Sequence, residues 1–472
     1  MKPFVPTKKS NSEASIYIQL YRHIKGEILN GNIPIGEKLP SLRKLAIESD
    51  ISVTTVGQAY EQLLTEGYIT SRPQSGYYVA EIPTAAISRK DEHASASPEI
   101  DDFTFDRGRL LYDLDTFDFT KWKKCSSRVL TEYADMLLFE SDVQGEAALR
   151  FEICKYLYSS RGVSVSPEQV VIGAGSQQLT SHLARILSRM GIDMICTEDP
   201  GYLPIQNVFR DSGFGIAKIP VTENGIMIEK LPVNIPTAVY VSPANQFPTG
   251  SVMPIGVRYK LLEWARDNGS IILEDDYDSE LRYLGKPIPA LKGLDESDCV
   301  VYFGSFSATL FPAIKISYMI LPEKMVRIFN TIKSDYTQTC SKTEQLTLAL
   351  FMEDGYYYTN IKKLRKLYAQ KLDCVENTFL SSNFVDVINT KSGLNMMLAV
   401  YSKKSAKELC SIGKAMGLRI FPLDHLEKSG LGPGTEATGS NKKRFLIFYF
   451  NQIPLNKINS CVRELVDAWR SL

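Results

Sequence analysis

The sequence contains little that would point to an exported, membrane-bound or metal-binding protein. Its eight cysteines are widely spaced without a C-x-x-C pair, and its four histidines do not cluster. This spacing favours free thiols in a reducing compartment and predicts no metal site. No apolar run approaches the roughly 20 residues that span a bilayer, and the first residues form no apolar signal core. We therefore expect a cytoplasmic protein with no membrane segment.

An excess of either charge is also missing, because 54 basic residues balance 54 acidic ones. Net charge therefore does not by itself indicate a nucleic acid partner. Residues 1–80 hold nine Lys and Arg against seven Asp and Glu, a net charge of only +2. A DNA-binding surface in this region would depend on the placement of individual contacts and on dimerisation. At 472 residues the chain is long enough for more than one domain.

The first eighty residues predict three helices followed by a hairpin. An amphipathic helix is expected over 17–28, and Ser41 and Ser52 are placed to cap two shorter helices. The segments 67–71 and 77–79 are typical of two strands joined by a tight turn. Three helices and a hairpin together indicate a winged helix-turn-helix domain over residues 1–80.

This predicted domain resembles the GntR family of bacterial regulators in Leu39–Ala46, Thr55–Leu63 and Glu66–Ile69. The resemblance implies binding to double-stranded promoter DNA. One departure is Val53, which stands where the family often has a base-reading arginine. The DNA contacts that the resemblance implies come from Arg43, Ser52, Thr54, Thr55 and the wing residue Arg72. The alternative for this module is that it binds a protein.

A change of composition separates this domain from the rest of the chain. Small and polar residues dominate 81–102, which predicts a flexible linker. From 103 to 472, short apolar runs alternate with helical patterns, as is typical of an α/β domain with a mainly parallel sheet. Five runs predict buried strands: 170–172, 194–196, 238–241, 271–273 and 300–303.

Glycine-rich and polar segments follow several of these strands, where open α/β sheets bind ligands. In order they are Gly173–Gln178, Glu198–Tyr202, Ser242–Gly250, Glu274–Tyr277 and Gly304–Tyr318. They resemble the cofactor segments of fold type I enzymes that use pyridoxal 5'-phosphate (PLP). The resemblance implies that nine residues bind PLP: Ser176, Gln177, Tyr202, Asn245, Asp275, Tyr277, Ser305, Ser307 and Lys315.

The resemblance also implies a role for several of these residues. The glycine turn before Ser176 suits a phosphate group, and Tyr202 would stack on the pyridine ring. Asp275 would pair with the ring nitrogen and keep it protonated. Tyr277 and Asn245 would contact the ring hydroxyl, although Phe247 stands where the family's asparagine usually does.

The segment Gly304–Tyr318 departs from the usual pattern S-F-S-K-x-x-x-P-x-x-R-x-x-Y at two positions. Ala308 replaces the lysine that forms the Schiff base, and Lys315 replaces the phosphate-binding arginine. An alanine forms no imine, so PLP is expected to bind non-covalently or as an external aldimine already formed with an amine. No catalytic residue is predicted. The alanine either belongs to the natural chain or was introduced by mutation.

A GntR-like domain joined to a fold type I aminotransferase-like domain resembles the MocR/GabR subfamily of bacterial regulators. The resemblance implies a domain-swapped homodimer and a small amino-compound effector, for which Arg444 is the candidate carboxylate partner. We therefore predict a PLP-dependent transcriptional regulator and no transaminase turnover. Two alternatives stay open: an active aminotransferase with an accessory DNA-binding domain, and a DNA-binding protein whose large domain serves dimerisation without a cofactor.

Overall fold

The computed structural model describes residues 4, 15–81, 113–283, 288–388, 393–423 and 442–470. Contacts divide the chain into two compact units, Met1–Phe105 and Asp106–Leu472. Except for Glu81, the linker predicted over 81–102 lies outside the described residues. None of the helices in these ranges is both long and apolar enough to cross a membrane.

The N-terminal unit has the three helices and the hairpin that the sequence predicts. They are α1 (Ile16–Leu29), α2 (Leu42–Glu48), α3 (Val53–Thr65), β1 (Ile69–Arg72) and β2 (Gly76–Val79). Both predicted helix caps are present: the hydroxyl of Ser41 accepts a hydrogen bond from the amide of Lys44 at 3.3 Å, and that of Ser52 accepts one from Thr55 at 3.0 Å.

The core of this unit is formed by the apolar faces of the three helices. Leu20 and Ile24 of α1 pack against Val56, Tyr60 and other apolar residues of α3. The hydroxyl of Tyr60 donates to the carbonyl oxygen of Pro40 at 2.9 Å, which ties α3 to the segment before α2. This packing fixes the angle at which α3 is presented and leaves its other face in solvent.

The large unit contains a mixed eight-stranded sheet and a smaller four-stranded sheet, with helices around both. The strands are β3 (Val170–Gly173), β4 (Met194–Asp199), β5 (Gly215–Thr222), β6 (Gly225–Ile226), β7 (Ala238–Val241), β8 (Ile271–Asp276), β9 (Val300–Ser305), β10 (Ser317–Ile320), β11 (Val385–Ile388), β12 (Asn395–Ser402), β13 (Arg419–Pro422) and β14 (Lys442–Tyr449). The helices are α4 (Phe119–Glu132), α5 (Ala147–Arg161), α6 (Ser176–Arg189), α7 (Leu203–Asp211), α8 (Ile255–Asp267), α9 (Leu291–Leu294), α10 (Glu323–Ile332), α11 (Lys342–Glu353), α12 (Tyr356–Leu380), α13 (Ala406–Ala415) and α14 (Leu455–Arg470).

The large sheet has the strand order β3-β10-β9-β8-β7-β4-β5-β6. Its five central strands, from β9 to β5, are parallel, and all five of the predicted buried strands belong to this sheet. The sequence missed β10, which runs antiparallel between β3 and β9. The parallel strands bring the loops after β4, β7, β8 and β9 to one edge of the sheet.

The small sheet is antiparallel throughout, in the order β11-β12-β14-β13. It packs against α12 and α14 through rings such as Phe379, whose centroid lies 5.5 Å from that of Phe448 and 6.1 Å from that of Trp469. This core positions the ends of β12, β13 and β14, which supply residues to the site described next.

Candidate functional site

A cavity of about 500 Å³ lies at the carboxyl ends of the parallel strands. Eight of the nine residues predicted to bind PLP line it: Ser176, Gln177, Tyr202, Asp275, Tyr277, Ser305, Ser307 and Lys315. Ala308 lines it as well, so the position of the missing lysine faces the same space. Segments that are more than 100 residues apart in sequence therefore meet around one cavity.

The strand β8 ends in three consecutive acidic residues, and only the middle one lines the cavity. Successive side chains of a strand point to opposite faces, which separates Asp275 from Glu274 and Asp276. Asp276 pairs with Arg161 at 2.7 Å, and Glu274 accepts hydrogen bonds from the backbone amides that open α9 at 2.8 and 2.9 Å. These buried partners hold the outer two carboxylates and leave Asp275 for a ligand.

Asp275 is held by one neighbour on the adjacent strand. The hydroxyl of Tyr240, on β7, donates a hydrogen bond to Oδ2 of Asp275, and no hydrogen bond from the described residues engages Oδ1. Burial raises the pKa of the Asp275 carboxyl to about 6, although the hydrogen bond from Tyr240 lowers it. A positively charged ring nitrogen beside Oδ1 would offset the cost of burying this carboxylate.

Groups suited to a phosphate lie at the start of α6 and on the Ser305–Ser317 segment. Gly175 precedes α6 with a φ of +92° and has open space where a side chain would be, so the first amides of α6 are accessible. The hydroxyl of Ser305 accepts hydrogen bonds from Ser307 and Ser317. Within the described ranges, no carboxylate pairs with the ammonium of Lys315, which leaves that charge for an anion.

Two aromatic rings form an apolar corner of the cavity. The rings of Tyr202 and Phe247 meet edge to face, with 5.9 Å between centroids and an interplanar angle of 85°. Tyr202 offers a flat face on which a pyridine ring can stack. Phe247, which stands where the family's asparagine usually does, lines the cavity without a hydrogen-bonding group.

Asn245 is the one predicted cofactor residue that the structure does not bring to the cavity. Its side-chain amide donates to both carboxylate oxygens of Asp278, at 3.0 and 2.8 Å, and to the hydroxyl of Tyr277 at 3.1 Å. Asp278 is fully buried, and burial raises its pKa well above the usual value. Asn245 therefore supports Tyr277 from behind, and Tyr277 alone of the predicted pair faces the cavity.

Arg444, the predicted effector residue, also lies elsewhere. It is on β14, and its Nε donates to the carbonyl oxygen of Lys404 at 3.2 Å. Among the described residues, the arginine that lines the cavity is Arg419, the first residue of β13, whose guanidinium lies 4.7 Å from the ring centre of Tyr449. No carboxylate in the described part of the chain pairs with Arg419, so it is available to a carboxylate ligand.

Sequence reasoning missed Arg419 because its signal is weak. In the sequence, a single arginine at the start of a four-residue strand looks like many surface arginines. Arg419 reaches the cavity because β13 pairs with β14 so that Arg419 lies opposite Tyr449. Asn395, the first residue of β12, lines the cavity for the same reason, since it also pairs with Tyr449.

The predicted DNA-contacting residues all lie in the N-terminal unit. Arg43 is exposed on α2, and Ser52 and Thr54 are exposed at the start of α3. Thr55 is half-buried, and its amide and hydroxyl both contact the capping hydroxyl of Ser52. On the wing, the guanidinium of Arg72 makes a cation–π contact with Tyr78, at 4.3 Å from the ring centre.

Two family profiles match the chain and together cover most of it. Residues 16–79 match the family described as bacterial regulatory proteins of the gntR family, and residues 101–418 match aminotransferase class I and II.

Relatives with both parts are similar along nearly their whole length. The uncharacterized HTH-type transcriptional regulator YdeL of Bacillus subtilis is 40% identical, over 86% of this chain and 89% of its own. The probable rhizopine catabolism regulatory protein MocR of Rhizobium meliloti is 29% identical, over 92% and 94%. The pyridoxine biosynthesis regulator PdxR of Corynebacterium glutamicum is 29% identical, over 87% and 88%.

Solved aminotransferases share the fold of the large unit. A kynurenine aminotransferase of Pyrococcus horikoshii superimposes with a TM-score of 0.63 at 22% identity, over 77% of this chain and 90% of its own. A multiple substrate aminotransferase of Thermococcus profundus gives a TM-score of 0.63 at 23% identity, over 82% and 98%. At these identities the comparison shows the fold alone.

Proposed function

Because the chain belongs to the MocR/GabR subfamily of GntR-type transcriptional regulators, which join a helix-turn-helix domain to an aminotransferase-like domain, we propose that it regulates transcription in response to PLP. The single observation that carries this proposal is the cavity in which Tyr202, Asp275 and Lys315 meet while position 308 has no amine. The name of the corynebacterial relative, a regulator of pyridoxine biosynthesis, agrees with a B6 vitamer as the signal.

The residues of the cavity fit the ring nitrogen, the ring face and the phosphate of PLP, but they lack an attachment point for its aldehyde. Oδ1 of Asp275 would accept a hydrogen bond from the protonated ring nitrogen, and Tyr202 would stack on the ring. The amides at the start of α6, the hydroxyl of Ser176 and the ammonium of Lys315 would bind the phosphate. When bound, PLP supplies an aldehyde that reacts reversibly with amines, which suits a sensor of amino compounds.

Arg419 extends this proposal to the effector. A half-buried guanidinium that has no carboxylate partner among the described residues is suited to bind the carboxylate of an amino acid. Its cation–π contact with the ring of Tyr449, at 4.7 Å from the ring centre, holds the donor group in place. We therefore assign the effector role to Arg419 in place of Arg444.

The proposal favours regulation over catalysis because of what Ala308 lacks. Transamination requires an amine to bind the cofactor covalently and a base to move the α-proton. The methyl group of Ala308 does neither. Lys315 is the one lysine among the described residues that line the cavity, and the phosphate competes for its charge.

An exposed apolar surface supports dimerisation through the large unit. Leu138 and Phe139 are 85% and 73% exposed, and Phe151 and Tyr158 are exposed on one face of α5. An exposed apolar surface is suited to a protein interface. We propose that it is buried against a second copy of the chain; domain exchange between the copies stays a prediction.

Two titrations on the full chain test the proposed function. PLP should quench tryptophan or tyrosine fluorescence saturably without forming a reducible covalent link, and it should change the affinity for promoter DNA. The same two titrations are then repeated on the variant Arg43→Ala. This variant should bind DNA more weakly by about 1–3 kcal/mol and should bind PLP as the wild type does. If neither PLP nor PLP together with amino acids changes the affinity for DNA, the sensing role is contradicted. If Arg43→Ala binds DNA as tightly as the wild type, Arg43 is not a DNA contact.

A further inference from the structure

Three residues at strand ends of the small sheet form one row at the edge of the cavity. Asn395 of β12 and Arg419 of β13 both pair with Tyr449 of β14, and all three line the cavity. Side chains of directly paired residues lie on the same face of a sheet. Since neighbouring strands are about 4.8 Å apart, the backbones of Asn395 and Arg419 are separated by roughly 10 Å. An amide and a guanidinium therefore flank the ring of Tyr449.

The side chain of Asn395 is not explained by the packing of the small sheet. On the same face, the next row across the strands is apolar and consists of Met397, Ile447 and Phe421. Asn395 is half-buried, and its side-chain amide makes no hydrogen bond with the described residues. Removing an amide from water without a new hydrogen bond is costly, so this group needs a partner from the contents of the cavity.

The charges around the cavity limit what the side chain of an effector can be. Among the described residues that line it, Lys315 and Arg419 are cations and Asp275 is the carboxylate. Because Asp275 would face the ring nitrogen of PLP, a second ammonium on the effector would meet cations without an anion. An apolar side chain would cover the amide of Asn395 without replacing its hydrogen bonds to water. Cationic and apolar side chains are therefore both disfavoured beside Asn395.

A carboxamide matches the side chain of Asn395 in both kinds of hydrogen bond. An asparagine side chain offers N–H donors and an oxygen acceptor, and a carboxamide on the effector offers the same two kinds of group in return. A carboxylate offers acceptors alone, so it could use the N–H groups of Asn395 but not its oxygen. A carboxamide is also neutral, so it needs no counter-ion in the cavity.

We propose that Asn395 determines effector specificity by selecting an α-amino acid whose side chain ends in a carboxamide, such as asparagine or glutamine. The inference rests on the proposed function, in which PLP occupies the cavity and Arg419 binds the α-carboxylate. It adds the chemistry of the effector's side chain. With its carboxylate on Arg419 and its carboxamide on Asn395, the effector would lie across the ring of Tyr449.

Stable phosphopyridoxyl adducts of amino acids with matched shapes test this selection on the full-length protein. The glutamine adduct is compared with the methionine adduct, and the asparagine adduct with the leucine adduct, by isothermal titration calorimetry. In at least one pair, the wild type should bind the carboxamide about 10-fold more tightly, as expected for neutral hydrogen bonds. The Asn395→Leu variant should bind both members of that pair about equally. Asn456→Leu, which replaces an exposed asparagine of α14, is the matched control and should retain the preference.

The adduct formed through the α-amino group of lysine tests the argument from charge. Its side-chain ammonium would approach Arg419 and Lys315 with no carboxylate left to pair with it. The wild type should therefore bind this adduct at least about 10-fold more weakly than the preferred carboxamide adduct, because juxtaposed like charges repel. A lysine adduct that binds as tightly as the carboxamide adduct would overturn the proposed selectivity.

The outcomes separate this inference from the proposed function. If the wild type binds the adducts but prefers the carboxamide in neither pair, the role of Asn395 is overturned and PLP sensing stands. The same conclusion follows if the preference survives in Asn395→Leu. If the wild type binds none of the adducts, the proposed function fails and the inference fails with it.

Discussion

The proposed DNA-binding surface of the N-terminal unit is built mainly from residues that are close together in the sequence. The cavity of the large unit is built from residues that are far apart in the sequence. The proposed DNA contacts from Arg43 to Thr55 lie within thirteen consecutive residues, and their helices are fixed by local caps. The cavity combines the start of α6, the ends of β8 and β9, and the start of β13. A local surface depends on few contacts, whereas an assembled cavity depends on two sheets being correctly placed.

The largest expected effect is the gain of covalent attachment in Ala308→Lys. The new amine would face the cavity, where burial and nearby cations should lower its pKa and make it nucleophilic. After borohydride reduction, mass spectrometry should find a pyridoxyl group on residue 308 of the variant and none there in the wild type. Ala308→Met is the control, with a long side chain and no amine. If the lysine variant binds PLP without becoming labelled, position 308 does not face the aldehyde and the assembled site is misaligned.

Asp275→Asn should weaken PLP binding by roughly 10- to 100-fold, the value of a charge-assisted hydrogen bond. Burial raises the pKa of Asp275 to about 6 in the free protein. A protonated ring nitrogen binds the ionised form of Asp275 and not its protonated form. The affinity of the wild type for PLP should therefore be highest above pH 6 and fall as the pH drops below 6. The phosphate group also titrates near pH 6, so the Asn variant provides the baseline. An equal pH dependence in both proteins would exclude Asp275 as the ring partner.

Arg419→Gln should remove recognition of the effector carboxylate, with a loss of about 10-fold. The probes are two stable adducts, phosphopyridoxyl-L-alanine and phosphopyridoxyl-ethylamine, which differ only in the carboxylate. The wild type should prefer the alanine adduct, and Arg419→Gln should bind both alike. Arg444→Gln is the matched control and should retain the preference; the opposite result would restore the assignment that the sequence favoured.

The smallest effect concerns the local surface. Ser52→Ala removes the cap of α3 and should lower the stability of the N-terminal unit by about 1 kcal/mol, measured by thermal unfolding. Ser41→Ala should cost no more, because its capping bond is longer at 3.3 Å. Ligand affinity in the cavity should be unchanged in both variants. A change in PLP affinity in either variant would show that the stability of the N-terminal unit and ligand binding in the cavity are coupled.

The sequence alone predicted most of the N-terminal unit, because caps, helical periodicity and turn residues act over a few positions. It also predicted the strands β3, β4, β7, β8 and β9 from their apolar runs. It missed β10, whose residues Ser317 to Ile320 follow the cofactor segment and form a strand by pairing with β3 and β9.

The sequence by itself predicted which segments form the candidate sites: the capped helices, the glycine turn before Ser176, the acidic end of β8 and the alanine at 308. Only the tertiary structure decided which side chains share the cavity. It turned Asn245 toward Asp278, placed Arg444 against Lys404 and brought Arg419 to the cavity. The physical reason is that a side chain's direction along a strand follows from local alternation, whereas its neighbours follow from sheet pairing and packing between distant segments.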